Sequence, residues 1–298
     1  MATIDASMPG AEGQVGTRLS RKDVASYARL LWHHGIETSV MLLGSYLQAP
    51  HAVQGYFLKC RTEDALALAR GFLVDQPPTP NRLVQQDFTL PDLIAAMHVY
   101  AGKKEPRSIE LLSEFYAYML SDFTSERHRA EYNSIKHGLR ASHGAFTFRA
   151  GIEDQPGVAA PEESMRLMGS SKDASFFKVA KPITGLTGEE ARINFTCSDD
   201  TVSWSLERVL IDLQVLSTVI NNTASTLKIV NGAKPEETKF HSNVNDDSWW
   251  EHYRGLGHSG VTTLSFSASL DGSMLNALSR DDVMRSFADA DGGPVENV

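Results

Sequence analysis

The sequence predicts a mainly α protein: a helical bundle of four or five helices with a small antiparallel β insertion. Three observations predict it. Apolar residues recur at three- and four-residue spacing over several long stretches, the period of a helix with one buried face. Between two of these stretches, Ala145-Phe146-Thr147-Phe148-Arg149 alternates instead, the period of a strand. Proline stands at the ends of the periodic stretches rather than inside them.

The first helix starts at Ser20, whose hydroxyl can cap, with Asp23 three residues on. Val24, Tyr27, Ala28 and Leu31 form its apolar stripe, which resumes at Val40, Leu43 and Leu47 and stops at Pro50. Gly35 and Gly44 inside it point to close packing. Thr62-Glu63-Asp64 opens a second helix, with acids where the positive end of the helix dipole favours them. Leu66, Ala69 and Leu73 are its inner face, and Pro77-Pro78-Thr79-Pro80 is a stiff connector. Pro91 suits the first turn of a short helix carrying Leu93, Ile94 and Met97, closed by Gly102. Pro106 begins the longest helical run, striped by Ile109, Leu112, Phe115, Tyr116, Met119 and Phe123. Residues 121–125 interrupt it, and Ser125 can cap a continuation through His137 that ends at Gly138.

The β insertion spans about 139–200. Leu139 to Ser142 is expected to pair with 145–149 across His143-Gly144, and residues 151–171, rich in Pro, Gly, Ser and acids, read as a loop. Phe176 to Ala180 and Arg192 to Thr196 read as short strands. A long helix from about Ser203 to Val230 then closes the bundle, with Trp204, Val209, Leu213, Leu216, Ile220 and Leu227 on its stripe and Asn231-Gly232 at its end. The division is therefore a disordered leader over 1–19, the bundle with its insertion over 20–232, and a polar C-terminal region over 233–298 with a flexible acidic tail.

The 298 residues carry a formal charge of −9 and a pI of about 5.6. Such a surface repels duplex DNA and anionic membranes on average, so any nucleic-acid site must be a local basic patch. Cys60 and Cys197 give neither a disulfide framework nor a zinc spacing, and a reduced cytoplasm is the expected location. The leader has no apolar core of a signal peptide, and no stretch approaches twenty consecutive apolar residues. No membrane association is expected.

One segment departs from the acidic average. From Ser121 to Arg149 the cations Arg127, Arg129, Lys136, Arg140 and Arg149 outnumber Asp122, Glu126 and Glu131, with His128, His137 and His143 among them. Arg129, Asn133 and His137 are spaced by four, which on a helix stacks them on one face. A guanidinium offers a fork of donors to phosphate, and an imidazole can move a proton near neutral pH. Together they fit metal-independent cleavage of an RNA phosphodiester, in which the 2′-hydroxyl is deprotonated and the phosphorane charge neutralised. The same residues also have a structural reading, because lysine and histidine before a helix-ending glycine are what the dipole favours.

Tyr132-Asn133-Ser134-Ile135-Lys136-His137 resembles the Arg-Asn-x-x-x-His signature of HEPN proteins, with Asn133 and His137 in register and Tyr132 where the family has arginine. It is also similar to a Tyr-Asn-x-x-Lys-His-Gly stretch of uncharacterised bacterial proteins. The HEPN resemblance implies a helical bundle, a homodimer and, in many members, a metal-independent ribonuclease in which the signature Arg and His meet across the dimer beside the phosphate. It implies His137 as the proton-transfer residue and Asn133 as an orienting residue. Arg129 or Arg140 would then replace the missing arginine, and Lys136 and Tyr132 would be binding residues.

Trp249-Trp250 forms an aromatic island that can stack on a base or a partner, or clamp the C-terminal region onto the bundle; the clamp is preferred. His33-His34 points in two directions on one helix and suits packing rather than chelation. His241, Asp246, Asp247, His252 and His258 match no metal motif, and no metal or cofactor is assigned. The leading expectation is a HEPN-like helical protein acting through protein–protein contacts as a homodimer. The alternative is an endoribonuclease using His137 with Arg129 or Arg140.

Overall fold

A computed structural model describes residues 20–74, 89–97, 106–137, 140–153, 155, 157–158, 160–183, 185, 187, 195–241, 247–256 and 263–270. The expected leader, the proline connector, Gly102, Gly138, Asp246, His258 and the acidic tail lie outside them.

Helix α1 (Arg21–Gln48) begins in the capping box the sequence predicts: the Asp23 amide donates to the Ser20 hydroxyl, and the Asp23 carboxylate accepts from the Ser20 amide. Its core face is Ala25, Ala28, Trp32, Ile36, Val40, Leu43 and Leu47. Val24, Tyr27 and Leu31, expected beside Ala28 on the inner face, are instead exposed. Gly44 lets α2 (Val53–Lys59) and α3 (Thr62–Leu73) approach, since a Cβ there would collide with the Tyr56 hydroxyl and Leu68.

Helix α4 (Leu90–Met97) is capped by Thr89, whose hydroxyl pairs with Asp92. Helix α5 (Pro106–Thr124) buries Leu111, Leu112, Phe115, Tyr116, Met119 and Phe123. Ser125, in extended conformation, separates it from α6 (Glu126–Lys136). The chain then enters β1 (Ala141–Ala150), β2 (Arg166–Pro182) and β3 (Phe195–Trp204) before α7 (Leu206–Val230), which packs along α1. Gly35 of α1 meets Leu216 of α7 at the closest approach. After α7 come α8 (Asp247–Gly255) and β4 (Thr263–Leu270).

The four strands form one antiparallel sheet in chain order, β1-β2-β3-β4. Helix α6 lies across β1, β2 and β3, and the first half of α1 touches β1. The sheet's inner side carries Phe177, Val202 and Trp204 into the helical core.

The mainly helical class with an antiparallel sheet is thus observed, with four differences. The described residues form eight α-helices, not four or five. The seven-residue α2 and nine-residue α8 are too short to show a period, and the interruption expected over 121–125 falls at Ser125, so that stretch counts as two helices. His143-Gly144 is not a turn: both lie inside β1, which pairs with β2 over its whole length with register shifts after Gly144 and Phe148. The last six residues of the predicted loop, Arg166 to Ser171, belong to β2, whose start hides behind small residues. Beyond the predicted boundary at 232, Trp250 and Tyr253 of α8 sit in the main core and β4 pairs with β3.

No helix among the described residues is long and apolar enough to cross a membrane.

Candidate functional site

The predicted column stands on α6. His137 caps the helix with φ −90° and ψ 6°, and its amide still donates to the Asn133 carbonyl at 3.1 Å, so the stacking of residues 129, 133 and 137 persists to the last turn. Asn133, Lys136 and His137 are exposed and Arg129 is half-buried. Arg127, Arg129 and Asn133 line an open cleft of about 690 Å³ between α6 and the sheet. Lys181 of β2, and Thr196, Ser198 and Asp200 of β3, form the opposite wall. The side chains of Arg127, Arg129, Asn133 and His137 have no hydrogen-bond or ion-pair partner among the described residues. Lys181 faces Glu126 at 3.8 Å in a solvated pair.

His137 and the exposed Arg140 do not line this cleft. Tyr132, in the position of the family arginine, is absent from its walls too. Its hydroxyl donates to Glu37 at 2.8 Å and lies 2.8 Å from His34 Nδ1, and its ring stacks on His33 at 4.9 Å. Lys136 rests its ammonium over the same ring at 5.4 Å. Trp250 is buried in the main core and stacked on Tyr253 of its own helix at 5.1 Å, and Tyr253 meets Phe115 of α5 at 5.3 Å, which clamps α8 to the bundle. The Trp249 side chain lies outside what is described. Among the described residues no group of three or more His, Cys, Asp or Glu could hold a metal ion.

Behind α6 lies a polar network that the sequence reading missed. Arg29 of α1 grips Glu131 with both ends of its fork, Nε to Oε1 at 2.9 Å and Nη2 to Oε2 at 2.7 Å, and both residues are buried. Ser175 of β2 donates to Glu131 Oε1 at 2.6 Å and accepts from the Trp204 indole at 3.0 Å. Arg29 also lies over Trp32 at 4.1 Å. His33 Nε2 stands 3.4 Å from Glu131 Oε2 without hydrogen-bond alignment. Burial alone would raise the Glu131 carboxyl, but the Arg29 charge and its two hydrogen bonds, with His33 beside them, hold it well below the carboxylate range. Burial pushes His33 down to about 4, so it is neutral at physiological pH.

A second cluster adjoins the first. The Trp32 indole donates to Asp212 Oδ2 of α7 at 2.8 Å. Arg208 bonds the Tyr253 hydroxyl at 3.2 Å and lies over the Tyr118 ring at 4.4 Å. These groups enclose a cavity of about 230 Å³ that also takes in Asp122 and His128. Burial raises Asp212 to about 6, raises Asp122 and lowers His128.

A sequence signal for both clusters exists. Arg29 sits among the apolar positions 25, 28, 32 and 36 of α1, and Asp212 sits among 209, 216 and 219 of α7. A charge on an inner face needs a partner there.

Comparison of the chain with protein-family models, with curated proteins and with solved structures gives no significant match.

Proposed function

We propose that the chain is a HEPN-like helical protein that binds single-stranded RNA in the cleft between α6 and the sheet. The reading is supported by one observation above others: Arg127 and Arg129 present unpaired guanidiniums beside an exposed Asn133 on the wall of a 690 Å³ cleft. Two free forks in a half-enclosed groove favour phosphate oxygens over the solvent they displace. The chain's −9 charge does not set the sign of the cleft, where Arg127, Arg129 and Lys181 outnumber Glu126 and Asp200, and Glu126 faces Lys181.

His137 is the proton-transfer residue in this proposal, and metal-independent cleavage is the reaction. Since His137 stands one turn beyond the cleft, at the exposed end of α6, cleavage requires a second copy to bring a cleft and a His137 together. The exposed stripe Val24, Tyr27 and Leu31 favours such a contact. Tyr27 and Leu30 share a surface hollow with Ile135, two residues before His137. A homodimer through this face is the protein–protein contact the sequence anticipates.

The test is binding of a fluorescein-labelled RNA oligomer by anisotropy, followed by cleavage in excess EDTA. Each of Arg127→Ala and Arg129→Ala is expected to weaken binding by about tenfold, the equivalent of one charge-assisted hydrogen bond. Together they should lower the salt slope by roughly 1.4. His137→Ala should bind RNA normally and fail to cleave it. Unchanged affinity in the double arginine variant refutes the cleft as the RNA site, and equal cleavage by wild type and His137→Ala removes the catalytic assignment.

A further inference from the structure

The cavity behind α6 is continuous in its framework with the RNA cleft. On α6, Arg129 faces the cleft and His128 the cavity; on β3, Asp200 lines the cleft and Val202 the cavity; on β4, Ser265 lines the one and Thr263 the other. Three neighbouring elements thus step from cleft to cavity together. Asp122 and His128, each about one-fifth exposed, mark the side that reaches solvent.

The cavity wall is rich in polar atoms with nothing to bond. Asp212, 3% exposed, leaves Oδ1 without a partner, and Ser203, 7% exposed, leaves its hydroxyl without one. Arg208 Nε and His128 Nδ1 are unpaired as well. Asp122 accepts no side-chain hydrogen bond among the described residues: His128 stands 4.0 Å away, beyond hydrogen-bond length, and the charges of Arg29, Arg208 and Asp212 also act on it. Buried polar atoms are normally satisfied, and several unsatisfied ones lining one space point to a ligand that satisfies them.

The pattern of these atoms selects the ligand. Asp122 and Asp212 offer carboxylate oxygens, so the ligand must bring N–H donors; Arg208 Nε is a donor, so it must also bring an acceptor. The flanking surfaces are flat: indole, phenol and guanidinium planes from Trp32, Tyr118 and Arg208. Nucleobases stack on such planes and are read at their Watson–Crick edges. Of the four RNA bases, guanine alone places two adjacent N–H donors, N1 and N2, beside a carbonyl acceptor. That edge meets a carboxylate with two parallel bonds, as an arginine fork does.

We propose that this cavity is the base pocket of the site: it takes a guanine whose N1–H and N2–H groups donate to Asp122, while the adjoining phosphate lies against Arg127 and Arg129. The proposal rests on the RNA reading for the phosphate and on the cavity alone for the base. Asp212 and Ser203 offer further partners at the inner wall, and Arg208 Nε donates to the base's acceptor side. Burial already disfavours an ionised carboxylate at both acids, and incoming N–H donors relieve that penalty.

The experiment titrates the full chain by calorimetry with guanosine, guanosine 5′-phosphate and inosine 5′-phosphate, which lacks the 2-amino group. Wild type, Asp122→Asn and the double variant Arg127→Ala/Arg129→Ala are compared after circular dichroism confirms equal folding. Guanosine 5′-phosphate is expected to bind at least tenfold more tightly than the inosine nucleotide, and Asp122→Asn to abolish that preference. The arginine variant should weaken the nucleotides and leave guanosine unchanged. Equal affinity for the two nucleotides, with no effect of Asp122→Asn, overturns the base pocket while leaving the RNA cleft standing. Guanosine binding that depends on Asp122, with RNA binding that ignores the arginines, upholds the pocket and overturns the cleft. No guanosine binding at millimolar concentration means a water-filled cavity only and refutes the inference.

Discussion

Replacing Glu131 with alanine is the most severe single change the structure predicts outside the apolar core. Arg29 and Glu131 are 3% and 0% exposed, and Glu131 takes two bonds from Arg29 and one from Ser175. Removing one partner of a buried, hydrogen-bonded pair leaves the other charge without water or counter-charge, at a cost of about 3–5 kcal/mol. The orphaned Ser175 hydroxyl adds about 1 kcal/mol. Against a typical total of roughly 5–15 kcal/mol, this removes a large share of the stability. Urea unfolding followed by tryptophan fluorescence measures it, and with a slope of about 3 kcal/mol/M the midpoint should fall by more than ~1 M. Glu131→Gln, which keeps the shape, should lie between wild type and alanine. The double variant Arg29→Met/Glu131→Leu should recover most of the loss, because an apolar pair of similar volume needs no counter-charge. A single variant that loses less than about 1 kcal/mol, or a double variant as unstable as the single, refutes this account of the network. The same pair sets acid stability. Because the Glu131 carboxyl ionises at lower pH when folded, its contribution is complete above the ordinary value of 4.5 and is lost as pH falls through the lower folded value.

Other outcomes follow from the same geometry. Asp212 is protonated more readily folded, at about 6 against 3.8, so its contribution is complete below 3.8 and disappears as pH rises to 6. Asp212→Asn should therefore gain about 3 kcal/mol on wild type between pH 4 and pH 7, read as the difference in urea midpoints. Gly44→Ala forces a Cβ into Tyr56 and Leu68 and should cost about 1–3 kcal/mol. Gly55→Ala, which meets nothing within 4 Å, should be neutral or stabilising by up to ~1 kcal/mol, and thermal melts compare the two. Ser20→Ala breaks the first capping box and should cost about 1 kcal/mol in the same melts.

What could be read in the sequence was local. The cap at Ser20, the boundary at Ser125 (whose hydroxyl makes no capping bond), the punctuation at Pro50 and Pro106, and the stop at Asn231-Gly232 are each decided by a few adjacent residues, and the helices begin and end there. The α6 column was legible for the same reason, since a spacing of four is a fact about one helix. The partners of that helix were not. Arg29 and Glu131 are 102 residues apart, and Trp32 and Asp212 are 180 apart, so no window of sequence contains either pair. Val24, Tyr27 and Leu31 show why periodicity alone misleads: they have helical spacing, but packing against α7 selects the neighbouring face through Ala25, Trp32 and Ile36. Strand β1 was misread because a histidine-glycine pair resembles a turn, whereas Gly144 there accommodates the Phe176 ring across the ladder.

The last strand of the sheet is separated from its neighbour β3 by two helices. Synthesis therefore leaves one side of β3 with open amides and carbonyls until residues 263–270 have emerged. A protein cut short after Gly232 would carry that open border permanently and would recruit a strand from another molecule. Adding the missing segment in trans as a peptide of residues 247–270 would then cap the border and return the shortened chain to solution.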